Sequence, residues 1–224
     1  MKNAKLMKKV IAIDGPSGAG KSTIAKLIAK ELEFNYLDTG ALYRAVALAL
    51  RNSGIEPEDS DNKLRDALLR TDITFVNGQV FLYGKDASDD IRSKEIDHYS
   101  SVFSARKIVR DFLFGIQRNA AATNDIVVEG RDTTTVVFPN AWKKIYLDAS
   151  LEERARRRYL QYQEKGMYIS IEEAKRDVMK RDNRDVNRDI APLKMAAGAL
   201  AVDSSNLSIE QVKEKILKFI KAAP

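Results

Sequence analysis

The chain is predicted to adopt an α/β fold, with a parallel central sheet between two layers of helices, a small antiparallel insertion and a mobile lid. Three observations predict it. Short apolar runs at 10–13, 126–128 and 145–147, with a lesser one at 34–37, read as strands buried on both faces. Helical patterns alternate with them at 22–32, 41–52, 105–122, 151–164, 171–188 and 209–222, as βα units require. One stretch, 73–83, departs from this scheme. Its two β-rich runs flank Asn77-Gly78, a hairpin signature, within a region of roughly 56–91 that interrupts the alternation on the substrate side.

The first strand runs straight into GPSGAGKST at 15–23. The spacing of Gly15, Gly20, Lys21 and Ser22 matches the phosphate-binding loop G-x-x-x-x-G-K-[ST], and a helix follows it. Gly15, Gly18 and Gly20 let the backbone curl until successive N–H groups point inward. Lys21 brings positive charge to the β- and γ-phosphates, and the Ser22 hydroxyl is a candidate Mg²⁺ ligand. Pro16, Ser17, Ala19 and Thr23 complete the loop and open the helix, whose dipole favours an anion. A strand, this loop and alternating helices predict the three-layer architecture of P-loop NTPases. A nucleoside triphosphate is the expected ligand, and the loop alone does not say what is done with it.

Later elements suggest a second anion site. In Tyr36-Leu37-Asp38-Thr39-Gly40-Ala41-Leu42-Tyr43-Arg44 a strand ends, turns and starts a helix, with Asp38 or Thr39 as its cap and Arg44 a turn further on. The strand at 126–128 emits Glu129-Gly130-Arg131-Asp132 at its carboxyl end, where open α/β sheets bind ligands. Arg181, Asp185 and Arg188 fall at i, i+4 and i+7 on one helix face. Alone they read as a solvated ladder. With Arg44, Arg110 and Arg131 they read as a ring around a charged ligand. Three helices open with capping boxes, at Ser150/Glu153, Ser170/Glu173 and Ser208/Gln211. The first carries Arg154, Arg156, Arg157 and Arg158 toward the loop Lys165-Gly166-Met167, a pattern suited to a lid closing over triphosphate.

Composition narrows the function classes. With 224 residues and 44% hydrophobic content, the chain can bury a normal core. It has no cysteine, which excludes a disulfide frame and thiolate chemistry. The basic segment 1–9 precedes only a short apolar run cut by Asp14, so no signal peptide is expected, and the apolar stretch 45–50 is too short to cross a membrane. A cytoplasmic location is the expectation. The net charge of +6 comes with arginines between 154 and 188 interleaved with acids, and no stacking platform of aromatics accompanies them, so no nucleic-acid partner is expected. A GTPase switch needs Asn-Lys-x-Asp after a strand, and Asn62-Lys63-Leu64-Arg65 fails at its last position. A motor or transport ATPase needs a larger coupling domain than this chain allows.

The motifs GPSGAGKST, YLDTGALYR, EGRD with TVVFP, KIYLDAS with LEERARRRYLQ, and RDNRDVNRDIAPL with a late Val202-Asp203-Ser204 span nearly the whole chain. Together they resemble the bacterial cytidylate kinases, among the nucleoside monophosphate kinases. Shikimate and adenylate kinases share the loop but lack this combination. The enlarged monophosphate-binding domain of the bacterial enzymes also agrees with the hairpin insertion. The resemblance implies transfer of the γ-phosphoryl group of ATP, bound with Mg²⁺, to CMP and dCMP; no long apolar helix stripe demands a partner, so a monomer is the expectation. It implies that Thr39 and Arg44, helped by Arg131, hold the acceptor phosphate, and that Tyr43 lies on the CMP side. Ser101, Arg110 and Asp132 read the cytosine with Arg188 nearby, Arg181 and Asp185 meet ribose and phosphate, and Arg154, Arg157 and Arg158 grip the donor phosphates. Lys21, Arg131 and Arg158 are the expected catalytic set. The implied division is a core of 1–40, 105–153 and 171–224, a monophosphate-binding region of about 41–104 and a lid of about 154–170. Thr134 stands where the family usually has glycine, so either the backbone near Asp132 differs or that glycine needs no positive φ. The acceptor phosphate is its own nucleophile, so no general base is needed, and His98 is expected at the surface or in packing.

Overall fold

The computed structural model describes residues 8–76 and 78–222. The expectations placed on 1–7 and on Asn77 of the hairpin turn lie outside the described residues. Five parallel strands form the central sheet: β1 (Val10–Asp14), β2 (Asn35–Asp38), β6 (Ile126–Gly130), β7 (Lys143–Asp148) and β8 (Leu200–Asp203). Their order is β2-β6-β1-β7-β8. The register sets Asp14 beside Gly130 and Asp38 beside Glu129, so the polar strand ends meet along one edge.

Alternation along buried strands feeds two cores. Val127 of β6 faces a cluster with Ile11, Ile13, Ile24, Ile28 and Ile216, covered by α1 (Lys21–Leu32) and α8 (Ile209–Lys221). Its neighbours Ile126 and Val128 face the opposite cluster with Leu42, Val46 and Leu50 of α2 (Thr39–Asn52) and Leu113 of α5 (Lys107–Ala120). Each fully buried Leu or Ile contributes roughly 1.5–3 kcal/mol. The sheet is therefore sandwiched, as the apolar runs predict.

The insertion consists of α3 (Asp61–Leu69), the antiparallel strands β3 (Ile73–Val76), β4 (Gln79–Leu82) and β5 (Lys85–Asp86), and α4 (Lys94–Phe103), preceded by a 3-10 turn at Asp90–Arg92. The hairpin register pairs Ile73 with Leu82 and Val76 with Gln79. It builds no core of its own, because Ile73, Val80 and Leu82 bury in the cluster of α2 and α5. This fixes the insertion against the sheet edge.

The elements α3, α4, β5 and β8 are not among those the sequence predicts. On α4 the inward positions are Ile96, Ser100 and Phe103, so a serine interrupts the apolar stripe and the segment reads as polar. Strand β8 is an edge strand with only Val202 buried. At the caps, Ser170 of α7 (Ile171–Asn187) and Ser208 of α8 form complete capping boxes. Ser150 of α6 (Leu151–Glu164) forms half of one: it accepts from the Glu153 N–H at 3.2 Å, while the Glu153 carboxylate pairs with Arg156 and Arg157. Among the described residues no helix is long and apolar enough to cross a membrane.

Candidate active site

The loop after β1 is held open by close approaches. A Cβ on Gly15 would lie 1.9 Å from the Leu147 carbonyl oxygen, so only glycine lets the chain pass β7. Gly20, at φ 91°, precedes α1, and no side chain caps that helix. Its first N–H groups are left for a ligand. The Lys21 ammonium is buried and donates to the Pro16 carbonyl at 2.7 Å. Burial, followed by the nearby Arg131, brings its pKa down to about 7.

The end of β6 supplies the opposite wall. Glu129 is buried, and its carboxylate accepts from the Tyr36 hydroxyl at 2.8 Å. Burial and Asp38 push its carboxyl up, against the pull of Lys21. The Thr39 hydroxyl donates to the Glu129 carbonyl at 2.8 Å. Arg131 Nε donates to Asp185 Oδ2 at 2.8 Å. Asp132 is buried between Arg110 and Arg188, with Arg188 Nη2 at 3.3 Å from Oδ1. The Arg110 guanidinium lies over the Tyr43 ring, 5.6 Å from its centroid. Asp38 caps α2 by accepting from the Ala41 N–H and also pairs with Arg44 at 3.1 Å.

Thr134 occupies a site made for its hydroxyl. Asp14, fully buried at the end of β1, accepts from the backbone N–H and hydroxyl of Thr133 at 3.0 and 2.6 Å. It accepts the same pair of bonds from Thr134, at 2.7 and 2.5 Å. Among the described residues the non-glycine residues at positive φ are Glu33, Tyr83 and Ala191, so Thr134 needs no glycine freedom.

These walls enclose a cavity of about 410 Å³. Ser17, Gly18, Gly20, Lys21, Ser22 and Thr23 line one side, and Thr39, Tyr43, Arg44, Ser101, Arg131, Asp132, Arg181, Asp185 and Arg188 line the other, with Arg158 at the α6 edge. Arg181 has no hydrogen-bond partner among the described residues, and burial with Arg131 pushes its pKa down. Ser101 accepts from Arg184 at 3.1 Å. Gly15, Pro16 and Ala19 turn away from the cavity and shape the loop, and Arg110 stands behind Asp132.

Arg154 and Arg157 are not among the residues that line this cavity. Arg154 donates to the Ala149 carbonyl at 2.9 Å, to the Ser17 carbonyl at 3.2 Å and to Asp182. Arg157 donates to the Ala19 carbonyl at 3.2 Å and to the Ser204 hydroxyl at 3.0 Å. Both brace the loop from behind because its outward carbonyls need donors there. Of the three lid arginines, Arg158 alone lines the cavity. Glu129, Arg92, Asp97 and Lys165 also line it without having been singled out. Glu129 stood in a quoted motif; Arg92 and Asp97 lie in the insertion, where no motif marks them. His98 is exposed, as expected.

The family model described as cytidylate kinase matches residues 11–222. The chain belongs to the cytidylate kinase family. It is 51% identical over 216 residues to the cytidylate kinase of Thermodesulfovibrio yellowstonii, covering 95% of this chain and 97% of that protein. It is 48% identical over 211 residues to that of Fervidobacterium nodosum, covering 94% and 95%. A crystal structure of an uncharacterized protein from Eubacterium ventriosum superposes with a TM-score of 0.56 at 13% identity, covering 96% of this chain and all of that one, a likeness of fold alone. Within the family frame, the motif residues on the two walls are separated by up to 171 positions in sequence (Ser17 to Arg188) yet share one cleft.

Proposed function

We infer that this chain is a cytidylate kinase that transfers the γ-phosphoryl group of ATP to CMP, and to dCMP, giving ADP and the diphosphate. The observation that carries this reading is a single cavity shared by an uncapped phosphate-binding helix and an arginine-rich acceptor wall. Lys21 and the α1 N–H groups take the triphosphate. Arg44, Arg131 and Arg181 take the acceptor phosphate, with Thr39 beside them. Asp132, fixed by Arg110 and Arg188, accepts from the cytosine amine, with Ser101 and Tyr43 adjoining. Asp185 meets the ribose.

The acceptor oxygen attacks the γ-phosphorus while the bond to the β-phosphate oxygen breaks. Charge neutralisation and in-line alignment are what the protein supplies. Arg158 and Lys21 stabilise the transferring group. No described group of three His, Asp or Glu could hold a metal by itself. The hard oxygens of Ser22 and Glu129 suit Mg²⁺, which keeps most of its ligands as water and phosphate. Mg²⁺ would neutralise charge between the β- and γ-phosphates. The proposal includes a cytoplasmic monomer with a core of 1–40, 105–153 and 171–224, a monophosphate-binding region of about 41–104 and a lid of about 154–170.

A coupled ADP assay with CMP, dCMP, UMP, AMP and shikimate tests the reading. CMP and dCMP are expected to give the highest turnover. Equal or better turnover with AMP or shikimate overturns it.

A further inference from the structure

The cations of the cavity fall into two groups. Arg131 and Arg188 pair with Asp185 and Asp132. The second group gathers around a carboxylate to which the reading above gives no role. Asp97, on the insertion helix α4, lines the same cavity with its side chain 18% exposed. Its Oδ2 accepts a 2.7 Å hydrogen bond from Arg158 Nη2 on α6. Burial opposes its charge, yet Arg181, Arg158 and Arg44 more than offset burial and keep its carboxyl below the ordinary range. Asp97 is therefore the direct counter-ion of Arg158, with the charges of Arg181 and Arg44 close enough to favour its ionised form. It plays the part of an internal anion.

The same nitrogen of Arg158 makes a second bond. It donates to the Tyr162 hydroxyl at 2.9 Å, and that hydroxyl donates to Asp177 of α7 at 3.1 Å. Both bonds leave from Nη2, so Asp97 and Tyr162 fix where the guanidinium points, while its Nε and Nη1 donors make no hydrogen bond among the described residues. A dianionic phosphate placed between Arg44 and Arg181 changes the balance, because it takes over their neutralisation and repels the Asp97 carboxylate.

We propose that Asp97 is a positioning residue that keeps Arg158 off the donor phosphates until an acceptor phosphate replaces it as counter-ion. The inference rests on the cytidylate kinase reading. Its consequence is discrimination against water. In transfer, a CMP phosphate oxygen attacks the γ-phosphorus, the bond to the β-phosphate oxygen breaks, and ADP leaves. In hydrolysis a water oxygen attacks instead, its proton passes to solvent, and ADP and inorganic phosphate form. Arginine contacts to a transferring phosphoryl group are worth about 10³–10⁵ in rate. Withholding this contact until CMP is bound suppresses the second reaction.

The test measures ADP formation from Mg-ATP with and without CMP, in the unsubstituted protein, Asp97→Asn, Asp97→Glu and Asp97→Asn/Arg158→Ala. The CMP-independent share of ADP formation is expected to rise about tenfold or more in Asp97→Asn. It should fall back toward the starting value in Asp97→Glu, and the rise should vanish in the double variant. A share within twofold of the unsubstituted protein in Asp97→Asn, or a rise that survives loss of Arg158, overturns the proposal. A second measurement needs no substitution at Asp97. The Arg158 guanidinium NMR signal, assigned by its loss in Arg158→Lys, should shift on adding CMP without ATP and stay in place with cytidine. An identical response to both ligands overturns the proposal too. If the unsubstituted protein forms no CMP-dependent ADP, the kinase reading fails and this inference with it. CMP-dependent turnover with an unchanged Asp97→Asn share removes only the role of Asp97.

Discussion

Lys21 is buried as a cation beside Arg131, and its pKa near 7 follows from that placement. In the unfolded chain a lysine titrates near 10.4. Between about pH 7 and 10 the unfolded chain therefore binds more protons than the ligand-free fold, and stability from this group rises with pH across that window. Below pH 7 the full cost of the buried charge is present. A triphosphate beside the ammonium favours the charged form, so ATP binding at pH 8 is expected to take up protons. Calorimetry in two buffers of unlike ionisation enthalpy measures this, and Lys21→Met should abolish the uptake. Thr134 makes a second prediction at this scale. It supplies two of the four hydrogen bonds to the buried Asp14 carboxylate, two residues after Asp132 in the chain. Thr134→Val removes one donor and should cost about 1–3 kcal/mol, while Thr134→Ser retains the bond. Thermal melts read the difference at roughly 2–4 °C per kcal/mol for a chain of this size. The KM for CMP should rise more than that for ATP, because the disturbed backbone carries Asp132.

Helix α7 joins the two halves of the site. Successive residues do different work: Arg181 lines the cavity, while Asp182 accepts from the Ser17 N–H at 2.9 Å and pairs with Arg154 of α6. The loop apex is thus clamped between two helices. Arg154→Ala is expected to lower the melting temperature by several degrees and to raise the KM for ATP, with Asp182→Ala giving nearly the same change. The double variant should cost much less than the sum, since each single change leaves a charge of one broken pair, only 12% or 16% exposed, without its partner. An Arg154→Ala variant with an unaltered melt and a lowered kcat would instead make Arg154 a donor-phosphate ligand. This arginine also marks where sequence stops being informative. Positions 154, 157 and 158 are neighbours by helical spacing, so a basic face is legible. Which partner lies against each arginine depends on where α6 docks, which local pattern does not encode. The same limit hid α4, whose inward row includes Ser100, and edge strand β8, with one buried residue. Strands buried on both faces, the loop before α1 and the Ser170 and Ser208 caps were legible because each is a local requirement of backbone or burial.

At the scale of the whole molecule, one sheet serves two cores, and the cavity lies along its carboxyl edge where neither core reaches. That edge gathers Lys21, Arg44, Arg131, Arg158 and Arg181 on walls held rigid by packing beneath them. Rigid convergence of like charges disfavours the ligand-free fold, and Arg181, without a hydrogen-bond partner among the described residues, bears this most directly. The arrangement trades stability for phosphate affinity. Arg181→Met is therefore expected to raise the melting temperature of the ligand-free protein while greatly reducing turnover with CMP. The same charge set should make the unsubstituted protein respond to anions. Sulfate at fixed ionic strength should stabilise it more than chloride, by about 2.7 kcal/mol at a hundred times the dissociation constant for a single site. In Arg181→Met that sulfate increment should shrink, because one of the groups that binds the anion is gone. A melt of Arg181→Met below that of the unsubstituted protein would show that its packing outweighs its charge. Equal sulfate increments in the two proteins would place the anion elsewhere on the surface, leaving the charge of Arg181 without the compensation argued for it.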